Sequence, residues 1–275
     1  MSHYFIFNGL YKPKLMKKQN TLISVLIINY NNAKFIKRSI KSCLKQSYKN
    51  LEILIFDDRS TDRSKEVLKE FCKTKKIKIY FNKSQKKNYA ALDAMNGYIY
   101  LFKKSKGKLI FFLDSDDYFH KDKIKKINTI FNKNKKIDFI QNLPSIKKNS
   151  NNNPLSFWPY LAPESCISFR RDLMNKFLKV NNNLKKEYND IWLGFRMGVF
   201  ASFCLKKFHT INEQLTFYES LGESKKYSFF GKNWIIRRKN AFDYLKTISK
   251  DSKILNNNFD YFLTRLFVKI INLKK

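Results

Sequence analysis

This sequence is poor in the side chains that build metal cages and covalent cross-links. It has four cysteines and three histidines among 275 residues. Cys43, Cys72, Cys166 and Cys204 are scattered, and no two form a C-x-x-C. That spacing argues against structural zinc and a disulfide framework, and fits a reducing compartment. Cys43 and Cys72 fall on the apolar faces expected of two helices. His3, His120 and His209 do not form a ligand set, and His209, just before Thr210-Ile211-Asn212, reads as a core or surface residue near a strand. No uninterrupted apolar stretch reaches the ~18 residues needed to span a bilayer. The N-terminus, Met1-Ser2-His3-Tyr4-Phe5-Ile6-Phe7, has no basic residues ahead of the apolar ones and does not read as a signal peptide. There is no internal repeat.

Acidic residues are also scarce, 22 against 56 Lys and Arg, which gives a formal charge of +34. Such a field attracts an anionic partner, such as nucleic acid or an anionic membrane face. The lysines are spread along the chain, as on a solvated face, and Lys, Asn, Ile and Phe are the residues of A/T-rich codons. A nucleic-acid-binding module would instead cluster its cations with exposed aromatics. The 43% hydrophobic and 16% aromatic fractions exclude disorder as the main state. A chain this long can form one domain with an ample core, alone or with an appendage.

Three apolar runs end in polar turns. Leu22-Ile23-Ser24-Val25-Leu26-Ile27-Ile28 ends in Asn29-Tyr30-Asn31-Asn32. Leu51-Glu52-Ile53-Leu54-Ile55-Phe56 ends in Asp57-Asp58-Arg59-Ser60-Thr61-Asp62. Leu109-Ile110-Phe111-Phe112-Leu113 ends in Asp114-Ser115-Asp116-Asp117. Such runs read as buried, parallel strands. A helical pattern follows each: Phe35, Ile36, Ile40, Cys43 and Leu44; then Val67, Leu68, Phe71 and Cys72, with Ser60, Thr61 or Asp62 as N-cap; then Ile124 and Ile127. Alternating strand and helix predicts an α/β fold with a mostly parallel sheet, whose turns converge at the carboxyl ends of the strands. Clustered Asp there invites a hard divalent cation, which takes one or two carboxylates plus phosphate oxygens.

The stretch I-S-V-L-I-I-N-Y-N from Ile23, the stretch S-C-L-K-Q-S-Y-K-N-L-E-I-L-I-F-D-D-R-S-T-D ending at Asp62, and F-F-L-D-S-D-D at Phe111–Asp117 closely resemble the family 2 glycosyltransferases of the GT-A fold. The likeness runs from Thr21 to about Ile127. Family members usually have Gly where Arg59 stands, Pro where Lys121 stands, and an Arg-Asn pair where this chain reads Ala94-Met95-Asn96-Gly97. The resemblance implies an inverting enzyme that uses a nucleotide-sugar donor and Mg²⁺ or Mn²⁺. Its acceptor would be a saccharide or a lipid-linked sugar, in bacterial surface polysaccharide or glycolipid assembly. The domain is expected over 21–215, with a nucleotide half (21–146) and an acceptor half (154–215). An arm (1–20) would precede it and a helical C-terminal region (216–275) would follow. A cytoplasmic location fits, either free or peripheral at the inner membrane face.

Site residues are expected in each half. A nucleotide base needs an acceptor for its ring N–H and a flat cover, which Asp58 and Tyr30 can provide. The alternative for Asp58 is a helix cap; Asp57 reads as structural, and Asn31 as either a turn brace or a ligand. Asp116 is the expected metal ligand, Asp114 holds the ribose or a metal-bound water, and Asp117 ligates or orients. Trp158 and Tyr160 form an aromatic loop that suits a sugar face, or else lines the core. The resemblance implies that a carboxylate in Glu187-Tyr188-Asn189-Asp190-Ile191-Trp192 deprotonates the acceptor. Tyr188 stands where the family's Asp falls, leaving Asp190, which could also N-cap the next helix, and Glu187.

Toward the C-terminus, Trp234, Ile235, Arg238, Phe242, Leu245 and Ile248 form one amphipathic stretch. Phe259, Phe262, Leu263, Leu266, Phe267, Ile270 and Ile271 form another, near Arg265, Lys269, Lys274 and Lys275. Such helices pack on the domain or lie on an anionic membrane. Two other functions compete. A metal-dependent nucleotidyltransferase would need a Gly-rich phosphate loop, and Asn29-Tyr30-Asn31-Asn32 has no Gly. A basic nucleic-acid-binding protein would leave the two acidic turns unexplained.

Overall fold

The computed structural model describes residues 21–84, 89–148, 150, 156–181, 188–219, 231–249, 251 and 253–273. The expected N-terminal arm and Glu187 lie outside these residues. The elements in chain order are β1 (Ile23–Asn29), α1 (Ala33–Leu44), β2 (Leu51–Asp57), α2 (Ser64–Lys69), β3 (Ile77–Phe81), α3 (Ala90–Lys104), β4 (Leu109–Asp114), β5 (Tyr118–Phe119) and α4 (Lys123–Lys133). They continue with β6 (Phe139–Pro144), β7 (Ile167–Arg170), α5 (Arg171–Asn181), α6 (Leu193–Val199), β8 (Phe208–Phe217), α7 (Lys232–Ile248) and α8 (Phe259–Leu273).

The strands form one mixed sheet in the order β3-β2-β1-β4-β7-β6-β8-β5. The first four run parallel. β7 reverses direction against both β4 and β6, β8 runs parallel to β6, and β5 pairs antiparallel with β8. The register matters for the site. Asn29 pairs with Asp57, and Ile28 pairs with Asp114, so β1, β2 and β4 end at one level. The strand order reverses between β1 and β4, the kind of crevice in which open α/β sheets bind ligands.

Side-chain alternation splits the core between the two faces of the sheet. Ile23, Val25, Ile27, Phe111 and Leu113 face α1 and α4, whose Ile36, Ile40, Cys43, Ile124, Ile127 and Phe131 are buried there. Leu26, Ile28, Ile110 and Phe112 face the other way, against Met95, Tyr98 and Leu101 of α3. Asp114 shares the parity of Ile110 and Phe112, so its side chain emerges on the α3 side.

The expected C-terminal helices are present as α7 and α8, and α7 packs on the domain. Phe242, Tyr244 and Leu245 of α7 are buried in the same cluster as Trp158, Tyr188 and Phe169. β8 continues to Phe217, two residues past the boundary expected at 215. Cys72 is exposed rather than on a buried helix face, because the helix ends at Lys69 and the chain turns there. His209 is an exposed residue of β8.

Candidate active site

The turn after β1 is locked to the turn after β2. Asn29 is fully buried and donates to Asp57 Oδ2 at 2.8 Å, while Asp57 Oδ1 accepts the Ser60 N–H at 3.0 Å. Asp57 is therefore structural. Asn31 sits at φ 50 and its side-chain oxygen accepts the Thr61 N–H at 2.8 Å, which is the bracing role. Asp62 accepts from Ser64 N at 3.0 Å and from Ala33 N at 2.9 Å, so one carboxylate caps the first turns of both α1 and α2. That leaves Asp58 free of capping duty. It is 7% exposed and accepts from Asn82 Nδ2 at 2.7 Å and from Arg59 at 2.8 Å. Arg59 has φ 64, the left-handed conformation that explains the family's usual Gly at this position. Tyr30 is 43% exposed at the end of β1.

The third turn holds the acidic cluster. Asp114 Oδ1 accepts from the Tyr98 hydroxyl at 2.7 Å, and the Asp114 N–H donates to Ser165 Oγ at 2.9 Å. Burial, then the charges of Glu164, Asp117 and Asp116, raise the Asp114 carboxyl well above the usual range. Burial also raises Asp116, with Glu219 adding to the effect and Arg38 opposing it. Asp117 is 1% exposed and burial pushes its carboxyl up to about 7. Its Oδ1 accepts the Glu219 N–H at 3.0 Å. Its Oδ2 is buried with no hydrogen bond of ordinary geometry, although the nearby Ser165 hydroxyl favours the ionised form. Arg38 of α1 braces the turn by donating to the Asp116 carbonyl at 2.8 Å and pairing with Glu219 at 2.6 Å.

Beneath the cluster lies Lys123, fully buried. Its ammonium donates to the Ser165 carbonyl at 2.5 Å and to Thr216 Oγ1 at 2.8 Å, and it sits 3.9 Å from the Phe119 ring centroid. Burial lowers its pKa to about 7, against the opposing charge of Asp117. In a chain with 56 basic residues, nothing in the sequence marks this one.

These carboxylates fit a divalent cation. They crowd one another and one Asp117 oxygen is buried without a hydrogen-bond partner, although no group of three or more His, Cys, Asp or Glu is placed to hold a metal ion among the described residues. An open site of one or two carboxylates is what Mg²⁺ takes when substrate phosphates supply the remaining oxygens.

On the acceptor side the structure places Asp190, Tyr188, Trp158 and Tyr160 as follows. The helix after Asp190 starts from Trp192, whose own side chain makes no cap bond, and its first-turn Gly194 N–H is taken by Glu164, so Asp190 is not its N-cap. Asp190 Oδ1 is instead buried without a hydrogen-bond partner, and its charge acts on Arg196. Tyr188 is 2% exposed, with its hydroxyl 3.0 Å from Thr247 Oγ1. Trp158 is largely a core residue, with ring centroids 4.8 Å from Phe242 and 5.2 Å from Phe195. Its remaining edge helps line a cavity of about 220 Å³ with Ile191, Phe195, Trp234 and Arg237. Tyr160 is half-buried; its carbonyl accepts from Gln141 and its ring lies under Lys147. Sequence reasoning missed Glu164. It is the first-ranked charge on Asp114, it feels Arg237, and its Oε1 accepts the Gly194 N–H at 3.0 Å. A Cβ on Gly194 would lie 3.1 Å from the Glu164 carboxyl carbon, so the missing side chain permits that approach. A lone Glu between Pro163 and Ser165 carries no pattern that reveals this.

Comparison with known proteins agrees with this geometry. Residues 24–212 match the model of the family "Glycosyl transferase family 2". An uncharacterized glycosyltransferase of Haemophilus influenzae is 37% identical over 106 residues, 38% of this chain and 40% of that protein. The Escherichia coli UDP-Glc:alpha-D-GlcNAc-diphosphoundecaprenol beta-1,3-glucosyltransferase WfaP is 39% identical over 105 residues, 38% of each chain. Both likenesses span well under half of the relative's length. Among solved structures, S. aureus TarS 1-349 in complex with UDP superposes with a TM-score of 0.58 at 16% identity, covering 90% of this chain and 69% of that one. The mannosyltransferase PcManGT from Pyrobaculum calidifontis, in complex with GDP-Man and Mn²⁺, gives 0.57 at 12% identity, covering 92% and 75%. With the GT-A fold in place and the family model matched over most of its length, this chain belongs to glycosyl transferase family 2.

Proposed function

We propose that this protein transfers a sugar, with inversion, from a nucleotide-sugar donor to a saccharide or lipid-linked acceptor in the assembly of a bacterial surface polysaccharide or glycolipid. The observation that carries this reading is the convergence of Asp58, Asp114, Asp116 and Asp117 at the level ends of β1, β2 and β4. The relative WfaP, named for a diphosphoundecaprenol-linked acceptor, supports the lipid-linked option. Such an acceptor would have the enzyme working at the inner face of the cytoplasmic membrane.

In this reading Asp58 accepts from the base N–H, sharing its carboxylate with Asn82 and Arg59, and Tyr30 covers the ring. Asp114, held by Tyr98 and Ser165, fixes the ribose or a metal-bound water. Asp116 and the unpartnered oxygen of Asp117 would hold Mg²⁺ or Mn²⁺. That cation supplies Lewis-acid stabilisation of the charge on the departing diphosphate. Asp190 takes the acceptor hydroxyl proton, with Glu187 as the other carboxylate of that segment. The edge of Trp158 meets the acceptor sugar in the 220 Å³ cavity, with Tyr160 on the same loop.

A thermal-shift panel of nucleoside diphosphates and nucleotide sugars with Mn²⁺ tests the assignment. Ligand at a hundredfold excess over Kd stabilises by ~2.7 kcal/mol. The shift should require Mn²⁺ and vanish in a folded Asp116→Asn protein. No stabilisation by any nucleotide, or full retention in Asp116→Asn, would sink the reading.

A further inference from the structure

Of the large apolar side chains exposed among the described residues, four lie on α8. Phe259 is 61% exposed, Phe262 62%, Leu266 43% and Ile270 41%. Their spacing of three, then four, then four residues sets them in one stripe down the helix. Arg265 and Lys269 are exposed along one edge of that stripe. The only acidic residue of α8, Asp260, points the other way. It is buried, accepts the Phe157 N–H at 2.9 Å and pairs with Arg238 of α7. Thr264 is buried, and Tyr261 meets Phe242 at 5.3 Å between ring centroids. One face of α8 is thus used in packing, and the opposite face presents apolar groups and cations with no anion. Beside the stripe, Leu255, Tyr261 and Phe262 help to line a cavity of about 610 Å³, with Arg265 and Lys269 among its other walls.

We propose that this face of α8 rests on an anionic lipid bilayer. Apolar side chains enter the boundary between headgroups and acyl chains, and flanking cations meet the lipid phosphates. The helix lies on the surface and does not cross it: α8 has 15 residues, and no described helix is long and apolar enough to span. A second copy of this chain is a poor occupant, because each copy carries +34 and pairing the stripes would bring Arg265 and Lys269 of both copies together. The inference deepens the lipid-linked acceptor reading by naming the surface that brings the enzyme to such an acceptor. It is tested without donor or acceptor, so the two can fail separately.

The experiment is co-sedimentation of the full chain with vesicles of phosphatidylcholine alone or with 30% phosphatidylglycerol, at two salt concentrations. Three proteins are compared: wild type, Phe262→Ser/Leu266→Ser and Arg265→Gln/Lys269→Gln. Melting temperature, Mn²⁺–nucleotide binding and light-scattering mass are measured on each. Wild type should bind the anionic vesicles. The apolar double variant should bind at least ~10-fold more weakly at both salts, the ratio expected from losing the burial of even one large apolar side chain. The charge variant should lose several-fold at low salt and less at high salt. Both should melt and bind nucleotide like wild type, since the altered side chains are exposed. Undiminished binding by the apolar variant would mean that diffuse lysine charge alone holds the vesicles, and would overturn the proposal. So would no binding to anionic vesicles, or a dimer in wild type that the apolar variant loses. Vesicle binding by a protein that takes no nucleotide would uphold this surface while removing the donor-site reading.

Discussion

Replacing Asp117 by Asn should make the metal-free protein more stable while removing its capacity to take a metal–nucleotide complex. Asp117 is 1% exposed and its carboxyl is raised from 3.8 to about 7, chiefly by burial. A carboxyl raised in the folded state contributes its full stability only below the unfolded value, and loses it as pH rises through the folded one. At pH 8 the shift corresponds to a deficit of about 4 kcal/mol, against about 1.5 kcal/mol at pH 5. Asn keeps the shape and can still accept the Glu219 N–H. Its amide nitrogen takes the place of an oxygen that already has no good partner, at a cost of ~1–3 kcal/mol. The net gain at pH 8 is about 1–3 kcal/mol, or a rise in Tm of roughly 2–10 °C for a chain of this size. At pH 5 the gain should vanish or reverse. The assay is scanning calorimetry in EDTA at both pH values, repeated with Mn²⁺ and a nucleoside diphosphate. The ligand should raise the Tm of wild type and not that of the variant. A lower Tm than wild type at pH 8 in EDTA, or an equal change at both pH values, would refute the electrostatic account.

Other outcomes follow from the same geometry. Asp58→Ala should raise KM for the donor more than it lowers kcat, because a uniform binding contact acts mainly on KM; calorimetry giving unchanged nucleoside diphosphate affinity would remove Asp58 from the base pocket. Asp190→Asn should lower kcat by roughly 10²–10⁴-fold with little change in Tm if it is the general base. Glu187→Gln and Glu164→Gln run in parallel, and an inactive Glu187→Gln or Glu164→Gln beside an active Asp190→Asn would move the role to that residue. Gly107→Ala would place a Cβ 2.5 Å from the Ser24 backbone nitrogen, so it should destabilise by ~1–3 kcal/mol in urea titration while leaving nucleotide specificity unchanged.

What the sequence discloses depends on how local the signal is. β1, β2 and β4 are legible because each is a mostly apolar run, and their polar turns, two of them acidic, follow directly in the chain. The helix cap among Ser60, Thr61 and Asp62 is legible in kind, yet that Asp62 also caps α1 depends on two turns meeting in space. Glu164 and Lys123 stay hidden for the same reason. Each acquires its role from residues about 30 to 90 positions away, and a single Glu or Lys in a lysine-rich chain has no periodicity to betray burial. Asp190 reads as a base or as a cap, because carboxylates ahead of helices often cap them; here the helix begins three residues later and a carboxylate from elsewhere in the chain, Glu164, meets its first turn. Trp158 reads equally as a sugar platform or core, and the arrival of Phe195, Phe203 and Phe242 from later in the chain makes most of its surface core.

The buried ammonium of Lys123 bears on how this protein can be handled. Anyone wishing to lower its charge for crystallisation or storage would turn first to lysines, which are abundant and mostly interchangeable on a solvated face. Lys123 is outside that pool. From α4 it holds the carbonyl of Ser165 and the hydroxyl of Thr216, so removing its amine would slacken β8 and the segment that carries Ser165 together. A redesign that lowers the charge should spare Lys123, and likewise Lys207, which pairs with the buried Asp138 at 2.9 Å.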